Sequence, residues 1–468
     1  MQMEKIGGIS KYFNRVMLNI FKYIICIFIF CGAVFASLQL DATSANAANL
    51  YVRAGATGSQ NGSDWSNAYP LLPSTLIRGN TYYIGSGSYG SYSFDDAASG
   101  STKIYIKKAT AFDHGTEVGW QSSYGVGQAT FTSWTFLSAY WDINGGTGGG
   151  PGSWETNFGM RIKTSGAGAK AIRINVKPSY ITIAHVDIEN SGEDVGGSGD
   201  TIYTVGSSNV TISHCWVHNT NRTNFLINGS QNWTIEYSLI SDKHNTDATH
   251  GEHLSANGNG MNANHVYRYN IWRDAGGANT GVIVIKDSVQ SGWKIYGNLF
   301  YVTDSSRYRV TNGIITDSTG DSTTDVKIYN NTFMPILGIN GPAQTVSFDV
   351  STNNEFKNNI VFGSGGFAGI SRSNNLYDSS SFASGETGGQ YFSSGGTALF
   401  ANPGSYNYSL KVATNRGDGL IGAEYQADML GVTRGGDGVL DRGAFEFQDG
   451  NPPPPVAIPM QPSNLQIQ

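Results

Sequence analysis

A short phrase of alternating apolar and polar residues recurs between residues 181 and 361, and its copies begin 23 to 33 residues apart. The copies are ITIAHVDI (181–188), VTISHCWV (210–217), WTIEYSLI (233–240), HVYRYNIW (265–272), WKIYGNLF (293–300), VKIYNNTF (326–333) and NEFKNNIV (354–361). Apolar residues two positions apart indicate a strand. One strand at each interval indicates a solenoid whose coils stack strand upon strand.

Two positions of the phrase are especially informative. The third position holds a large apolar residue in every copy: Ile183, Ile212, Ile235, Tyr267, Ile295, Ile328 and Phe356. The sixth position holds Val186, Cys215, Ser238, Asn270, Asn298, Asn331 and Asn359. Stacked side-chain amides can hydrogen-bond to one another and to a bent backbone. The four asparagines therefore predict a turn that repeats in register from coil to coil.

A second apolar column precedes each phrase, and we assign to it Ile202, Leu226, Leu254, Val282 and Ile314. Each coil therefore has at least two strands, with a more variable third side. Asn, Gly and β-branched residues interrupt every helix-length window, which excludes the helical repeat classes. The pattern predicts an all-β, single-stranded parallel β-helix.

In this arrangement the chain resembles the secreted right-handed parallel β-helix proteins of the pectin-lyase-like superfamily. The resemblance covers nearly the whole chain after residue 47 and implies a right-handed coil. The ending VLDRGAFEF (439–447) is similar to the closing strand of large bacterial surface β-helix proteins. By that likeness, a C-terminal anchoring module would follow the Pro-rich tail.

The N-terminus has the pattern of a secretory signal peptide. Four basic residues precede an apolar run at 24–36, which Ala45-Asn46-Ala47 follows. The run is short for a membrane span. We expect cleavage near residue 47, a secreted or cell-surface protein, and no membrane span after cleavage.

Net charge limits the binding partners of the chain, and cysteine content limits its disulfides. The formal net charge is −6, and removal of residues 1–47 makes it more negative, which argues against nucleic acid. Cys215 is the only cysteine after residue 47, so no intrachain disulfide can form there.

Composition divides the chain into five segments. We predict a signal peptide at 1–47, an N-terminal cap with the first coils at 48–160, and a regular parallel β-helix at 161–363. The last coils and a C-terminal cap then occupy 364–447, and a Pro-rich linker or tail occupies 448–468.

The densest titratable cluster lies in DKHNTDATHGEH (242–253). Because His253 adjoins the inward Leu254, we expect its side chain to point outward, with Gly281 and Gly313 leaving the adjacent surface open. His250 and His253 would act as general acid and base, with Glu252 or Asp247 setting tautomer or pKa. The alternative is that Glu252 only caps a turn.

Basic residues on the following coils complete the candidate site. Lys286 lies one coil above His253, and Arg307 and Arg309 precede the strand two coils above. A lyase acting on uronic-acid polymers needs a base and a cation that neutralises the carboxylate. We assign Arg309 to the catalytic group with His250, Glu252 and His253. Asp247, Lys286 and Arg307 are assigned to substrate binding.

Calcium is a candidate cofactor, because such a polymer can also be neutralised by Ca²⁺. Asp317, Asp321 and Asp325 lie four residues apart in a Ser- and Thr-rich loop and could hold it. Such loops are more often simply solvated turns.

Two functions of different classes remain open. The first is a carbohydrate-active enzyme on an acidic extracellular glycan, with a polysaccharide lyase favoured over a glycoside hydrolase. NTD (245–247) and HGEH (250–253) are only faintly similar to polygalacturonase motifs, and that family's separate Asp pair is missing. The second is a non-catalytic surface or matrix protein that binds glycan as an adhesin does.

Overall fold

The computed structural model describes residues 47–448 apart from 176, 191, 195–198, 246–249, 259–261, 277, 287–288, 309, 317–321, 336–343, 364 and 415–421. The described residues from Asn49 onward belong to one compact unit. That unit is a right-handed parallel β-helix, as the sequence predicts. Each regular coil contributes a strand to each of three faces.

Face 1 is a 16-stranded sheet that contains the first half of the repeated phrase, and the second half lies in face 2. Its strands are Asn49–Val52, Thr81–Ile84, Ile104–Lys108, Trp141–Asn144, Ser179–Ala184, Ser208–Ser213, Gln231–Glu236, Asn262–Ala263, Val266–Arg268, Val289–Ser291, Lys294–Tyr296, Ser322–Thr324, Lys327–Tyr329, Val350–Thr352, Glu355–Lys357 and Ser371–Ser373.

Faces 2 and 3 together form a 20-stranded sheet. Face 2 has Met160–Lys163, Val186–Glu189, Trp216–His218, Leu239–Ile240, Ile271–Arg273, Leu299–Tyr301, Thr332–Phe333, Ile360–Val361, Leu376–Tyr377 and Gln390–Tyr391. Face 3 has Ile172–Ile174, Asp200–Val205, Thr223–Asn228, Leu254–Asn257, Ala278–Ile285, Val310–Thr316, Gln344–Ser347 and Gly365–Ala368. Gly87–Phe94 and Ala129–Phe136 pair in the same sheet in the first coils.

The remaining elements are short. A parallel pair joins Lys243–His244 to Ala275–Gly276, and an antiparallel pair joins Phe400–Asn402 to Asn407–Leu410. The α-helices are Ser123–Val126, Ser380–Ser384 and Gly396–Leu399. The 3-10 turns are Pro403–Ser405 and Ala423–Tyr425.

The coil register confirms the first predicted column. The seven third-position residues pair directly with one another from Ile183 to Phe356. The second column is correct at three positions and wrong at two. Ile202 pairs with Phe225 rather than Leu226, and Leu254 pairs with Ile283 rather than Val282.

Two segments outside the coils cover the outer side of face 2, whose outward residues Leu239, Ile271 and Leu299 are apolar and buried. One is a Gly-rich strap at 145–159 that brings Trp154 onto this side. The other comprises residues 396–414 and 422–447, which we call the C-terminal segment, and in it Tyr425 packs on Tyr296 at 4.8 Å between ring centroids. The apolar outer side of face 2 thus becomes a second core.

Candidate active site

Charged side chains follow one another at the end of face 2, where each coil turns towards face 3. Glu189, His218 and Arg273 end their strands in equivalent positions. Asp242 and Asp274 come next in their coils and adopt left-handed conformations with φ of 50° and 60°. We call this set, with the residues that bind to it, the charged row.

The lower part of the charged row is a network of four charged residues with His218. His218 Nε2 lies 2.9 Å from Asp187 Oδ1, and Arg161 Nε lies 3.2 Å from Asp187 Oδ2. Arg161 also contacts Glu189, which accepts from Lys163 at 3.0 Å. Burial raises the pKa of Glu189, but the bonds from Lys163 and Arg161 outweigh it and lower the pKa overall. These groups are therefore mutually neutralised.

Arg273 is the centre of the upper part, and its guanidinium is almost completely buried. Its nitrogens lie 2.7 Å from Glu155 Oε1, 3.1 Å from Asp242 Oδ2 and 3.3 Å from Asp274 Oδ2. Burial and the charge of Asp242 raise the pKa of Asp274 to about 6 despite Arg273. Burial likewise raises the pKa of Glu155. Three carboxyls thus surround one cation, and burial shifts the pKa of two of them, Asp274 and Glu155, upward.

The Gly-rich strap delivers Glu155 to this network. Gly148 O lies 2.6 Å from His185 Nδ1. The strap therefore crosses the turn between faces 1 and 2, where the rings of His185 and His214 contact each other in consecutive coils. A Cβ on Gly149 would collide with the backbone of His214, and Gly149 has φ of 73°. Glycine is needed here because the strap lies directly on the coil backbone.

His250 and Glu252 form a dyad just before the face 3 strand that begins at Leu254. His250 Nδ1 lies 2.9 Å from Glu252 Oε1, while Glu252 Oε2 accepts from Gly251 N at 2.9 Å and Thr280 Oγ1 at 3.2 Å. Burial raises the pKa of Glu252, but the bond and charge of His250 and the charge of Lys286 outweigh it and bring the pKa to about 2.

The dyad has the arrangement of a histidine that can exchange protons. Glu252 is fully buried and ionised, whereas the imidazole of His250 is 23% exposed. A carboxylate on Nδ1 fixes the tautomer in which Nε2 carries the lone pair and stabilises the imidazolium once Nε2 is protonated. The predicted association of His250 with Glu252 is therefore present in the structure.

The expectation that His253 points to an open surface is wrong. The ring is fully buried, with Nδ1 3.0 Å from Asn224 Oδ1 and Nε2 2.8 Å from Arg273 O. Burial lowers its pKa to about 3. The strand begins only at Leu254, so strand alternation does not govern His253. Its ring instead joins face 3 to the end of face 2, directly beneath the dyad.

The predicted open surface above His253 is also absent. His253 N donates to Val282 O at 2.9 Å, so the register differs by one residue from the expected one. A Cβ on Gly281 would lie 2.9 Å from Gly313 O, and one on Gly313 would lie 2.5 Å from Thr345 O. The two glycines permit close approach of stacked backbones.

The remaining predicted residues are divided between the dyad and the charged row. Lys286 is partly buried and acts on the charge of Glu252. Arg307 Nη2 lies 2.8 Å from Asp194 and 3.1 Å from Glu193, and Asp194 also contacts His244 Nδ1 at 2.5 Å. Arg307 thus binds carboxylates of this chain. Asp247 and Arg309 lie outside the described residues.

The described residues offer no convergent metal centre. Within them, no three His, Cys, Asp or Glu side chains are placed to hold one metal ion. Of the three aspartates considered for Ca²⁺, Asp317 and Asp321 lie outside the described residues, and Asp325 lies 3.4 Å from Lys327 Nζ. We therefore assign no step of the proposed reaction to a metal ion. The described part of the chain also has no helix long and apolar enough to cross a membrane.

Sequence reasoning missed most of the charged row. The members that it missed are Glu155, Asp187, Glu189, Glu193, Asp194, His218, Asp242, Arg273 and Asp274. Many of them end or closely follow a copy of the repeated phrase. The sequence signal that could have revealed the charged row is the recurrence of titratable residues at that point in consecutive coils. Arg161 and Lys163, for example, have their carboxylate partners, Asp187 and Glu189, in the next coil.

Comparison with known proteins gives an architectural likeness. No family model and no curated protein matches the chain. Among solved structures, pectate lyase Pel9A is 13% identical, covering 86% of this chain and 97% of its own, with a TM-score of 0.46. A mannuronic acid specific polysaccharide family 6 lyase from human gut microbiota is 13% identical, covering 71% and 88%, with a TM-score of 0.38. A rhamnogalacturonan lyase is 10% identical, covering 70% and 82%, with a TM-score of 0.36. At these values the likeness concerns architecture and says nothing about the substrate of this chain.

Proposed function

We propose that this protein is a carbohydrate-active enzyme, a polysaccharide lyase that cleaves an acidic extracellular glycan at the His250–Glu252 dyad. The observation that carries the proposal is the difference in solvent exposure between the two side chains of the dyad. A fully buried carboxylate, held ionised, lies 2.9 Å from a histidine that reaches solvent. That arrangement suits general base catalysis.

The chemistry follows from the dyad. Nε2 of neutral His250 takes the proton from the sugar carbon beside the carboxylate, and the electron pair of that C–H bond forms a double bond. The glycosidic C–O bond to the leaving sugar breaks, its oxygen takes up a proton from water, and the imidazolium of His250 then returns the abstracted proton to solvent. Glu252 stabilises the imidazolium that forms. A cation must stabilise the charge that develops on the sugar carboxylate, and we assign this to Lys286 or Arg309, with Asp247 and Arg307 binding the chain.

Arg307, whose side chain is partly exposed, would bind a neighbouring sugar unit. Its guanidinium already pairs with a carboxylate of the chain, that of Asp194 at 2.8 Å. A polyanion must therefore displace internal ion pairs, at a cost in binding free energy. Binding should be weak for short oligomers and should decline as the salt concentration rises.

The test is the ultraviolet absorbance of unsaturated product during incubation with a panel of acidic polysaccharides, each with and without Ca²⁺. We expect a rise with at least one substrate, and His250→Gln should lower the rate by about 100-fold or more, the usual share of a positioned acid–base group. His114→Gln is the matched control, because His114 Nε2 also lies 2.9 Å from a carboxylate, that of Glu117, in the first coils. An active His250→Gln enzyme would overturn the assignment.

The alternative is a non-catalytic surface or matrix protein that binds glycan. A flat absorbance trace, with retention of the protein on one of the same acidic glycans, would favour it. The extracellular location belongs to the proposal in both cases, as does a C-terminal anchoring module.

A further inference from the structure

One turn of the β-helix carries left-handed backbone in nine consecutive coils. The position lies at the start of the face 1 strands, and its φ values fall between 55° and 67°. Its residues are Tyr140, Tyr180, Asn209, Asn232, Asn264, Gly292, Asp325, Asn353 and Gly369. Seven of the nine are Asn, Asp or Gly, the residues that adopt this conformation at least cost. Tyr140 and Tyr180 are the exceptions.

The two tyrosines form an exposed stack. Their ring centroids are 4.8 Å apart, with 3° between the planes, and Tyr180 is 47% exposed. Other aromatic residues in left-handed turns, such as Tyr269, are covered by the C-terminal segment, where they pack in the second core. Packing therefore explains those residues but not the exposed pair. A bulky side chain kept in a costly conformation and left in solvent indicates a function.

A groove of about 470 Å³ extends from Tyr180 across the next three coils. Thr182, Thr211 and Thr234 pair directly in consecutive strands and point outward along its floor. Asn209, Asn232 and Asn264 line one side. The one charged side chain in the lining, Lys103, is 3.0 Å from Asp142 and so is neutralised within the protein.

We propose that this groove binds a neutral polysaccharide chain lying across the coils, with Tyr180 as the platform for one sugar ring. The C–H face of a sugar packs on an aromatic ring, while hydroxyl and amide side chains can each donate and accept for sugar hydroxyls. The lining matches an uncharged ligand, because the one cation in it already pairs with a carboxylate of the protein and so offers little to a polyanion. Hydrogen-bonding groups repeat every coil, about 4.8 Å apart, which suits a polymer.

The groove and the charged row lie on different faces of the coil. The groove belongs to face 1, and the charged row follows face 2. The inference therefore does not depend on the proposed lyase activity. A neutral glycan on face 1 would hold the protein on a matrix.

The experiment is affinity electrophoresis of the full chain in gels containing soluble cellulose derivative, xylan, galactan or mannan, with polygalacturonate as the charged comparator. The test variants are Tyr180→Asn and Thr211→Val, and the control is Tyr391→Asn, which removes another half-exposed tyrosine, outside the groove. Asparagine occupies the Tyr180 position in the next three coils, so Tyr180→Asn should keep or raise the melting temperature.

We expect retardation by at least one neutral glycan, weakened about tenfold in Tyr180→Asn and less in Thr211→Val, while Tyr391→Asn behaves as wild type. Absence of retardation by every neutral glycan would overturn the proposal. So would undiminished binding by Tyr180→Asn, or retardation by polygalacturonate alone.

Discussion

Asn298 and Asn331 are joined through a single oxygen. Oδ1 of Asn331 accepts from the backbone N–H of Asn298 at 3.0 Å and from its Nδ2 at 2.9 Å. The same double contact links Asn270 to Asn298, Asn331 to Asn359, and Asn359 to Asn375. The Oδ1 of each asparagine thus accepts hydrogen bonds from the backbone N–H and the side-chain amide of the asparagine in the coil before it. The predicted asparagine ladder is present and extends one coil further than the sequence indicated.

Replacing Asn298 by alanine should destabilise the protein by about 2–4 kcal/mol, because it leaves buried polar groups without partners. The N–H of Asn270 would lose its acceptor, and Tyr267 O would lose the donor now 2.8 Å away. The free energy of unfolding measured by denaturant titration checks this. Asn402→Ala, at an exposed position where the side chain makes no capping hydrogen bond, should change it by less than about 0.5 kcal/mol. Equal stability of the two variants would contradict the ladder's role.

Glu386 ends the ladder, and Glu386→Gln should cost about 1–3 kcal/mol. Its carboxylate accepts from Asn375 N at 2.7 Å, from Asn375 Nδ2 at 3.0 and 3.1 Å, and from the Tyr377 hydroxyl at 2.6 Å. A glutamine would turn an NH₂ group towards one of these donors. Thermal unfolding should show a lower melting temperature, while Glu117→Gln, at an exposed position, should not. An unchanged melting temperature in Glu386→Gln would mean that a neutral amide can end the ladder equally well.

His253 should make the protein less stable as the pH falls below about 6.5. Burial lowers its pKa to about 3, so between these values the unfolded chain binds a proton that the folded chain does not. Each such group removes about 1.4 kcal/mol per pH unit in that range. His265, also buried with a pKa of about 3, acts in the same direction.

The variant His253→Gln should therefore show a smaller loss of unfolding free energy between pH 7 and pH 5, whatever its stability at pH 7. Denaturant titrations at both pH values measure that difference. A slope equal to that of the wild type would show that His253 becomes protonated in the folded protein.

Glu193 should have the opposite effect on the pH dependence of stability: it should make the folded protein less stable as the pH rises. Burial and the charge of Asp242 raise its pKa to about 7 although Arg307 lowers it. The folded protein therefore holds this proton more tightly than the unfolded chain does. The resulting stabilisation is complete below about pH 4.5 and is lost as the pH rises through 7. Glu193→Gln should flatten the loss of unfolding free energy between pH 5 and pH 8, and an unaltered profile would contradict the shift.

The fold was predictable because alternation and spacing are local properties of the chain. The column from Ile183 to Phe356 follows from one residue type at one position in each copy. The second column was misplaced at two positions because Phe225-Leu226-Ile227 and Val282-Ile283-Val284 are continuous apolar runs. In such runs, alternation does not identify the inward residue.

The candidate site was predictable only where its partners are close in sequence. His250 and Glu252 are two residues apart, and their contact followed from the motif. Glu155 meets Arg273, and Glu193 meets Arg307, across more than 100 residues. Those contacts depend on the path of the Gly-rich strap and the long turns, which no periodic pattern encodes.

The cover over face 2 has a consequence for the order in which the chain can fold. Coils can stack one after another as they are synthesised, because each pairs with its immediate predecessor. The apolar outer side of face 2 stays uncovered until the C-terminal segment arrives, when the Tyr269 hydroxyl, made 158 residues earlier, reaches Ala427 O. A growing chain therefore exposes these apolar side chains from the time they are made until the C-terminal segment is complete. Its last step is a long-range docking event, the stage at which misassembly between chains is most costly.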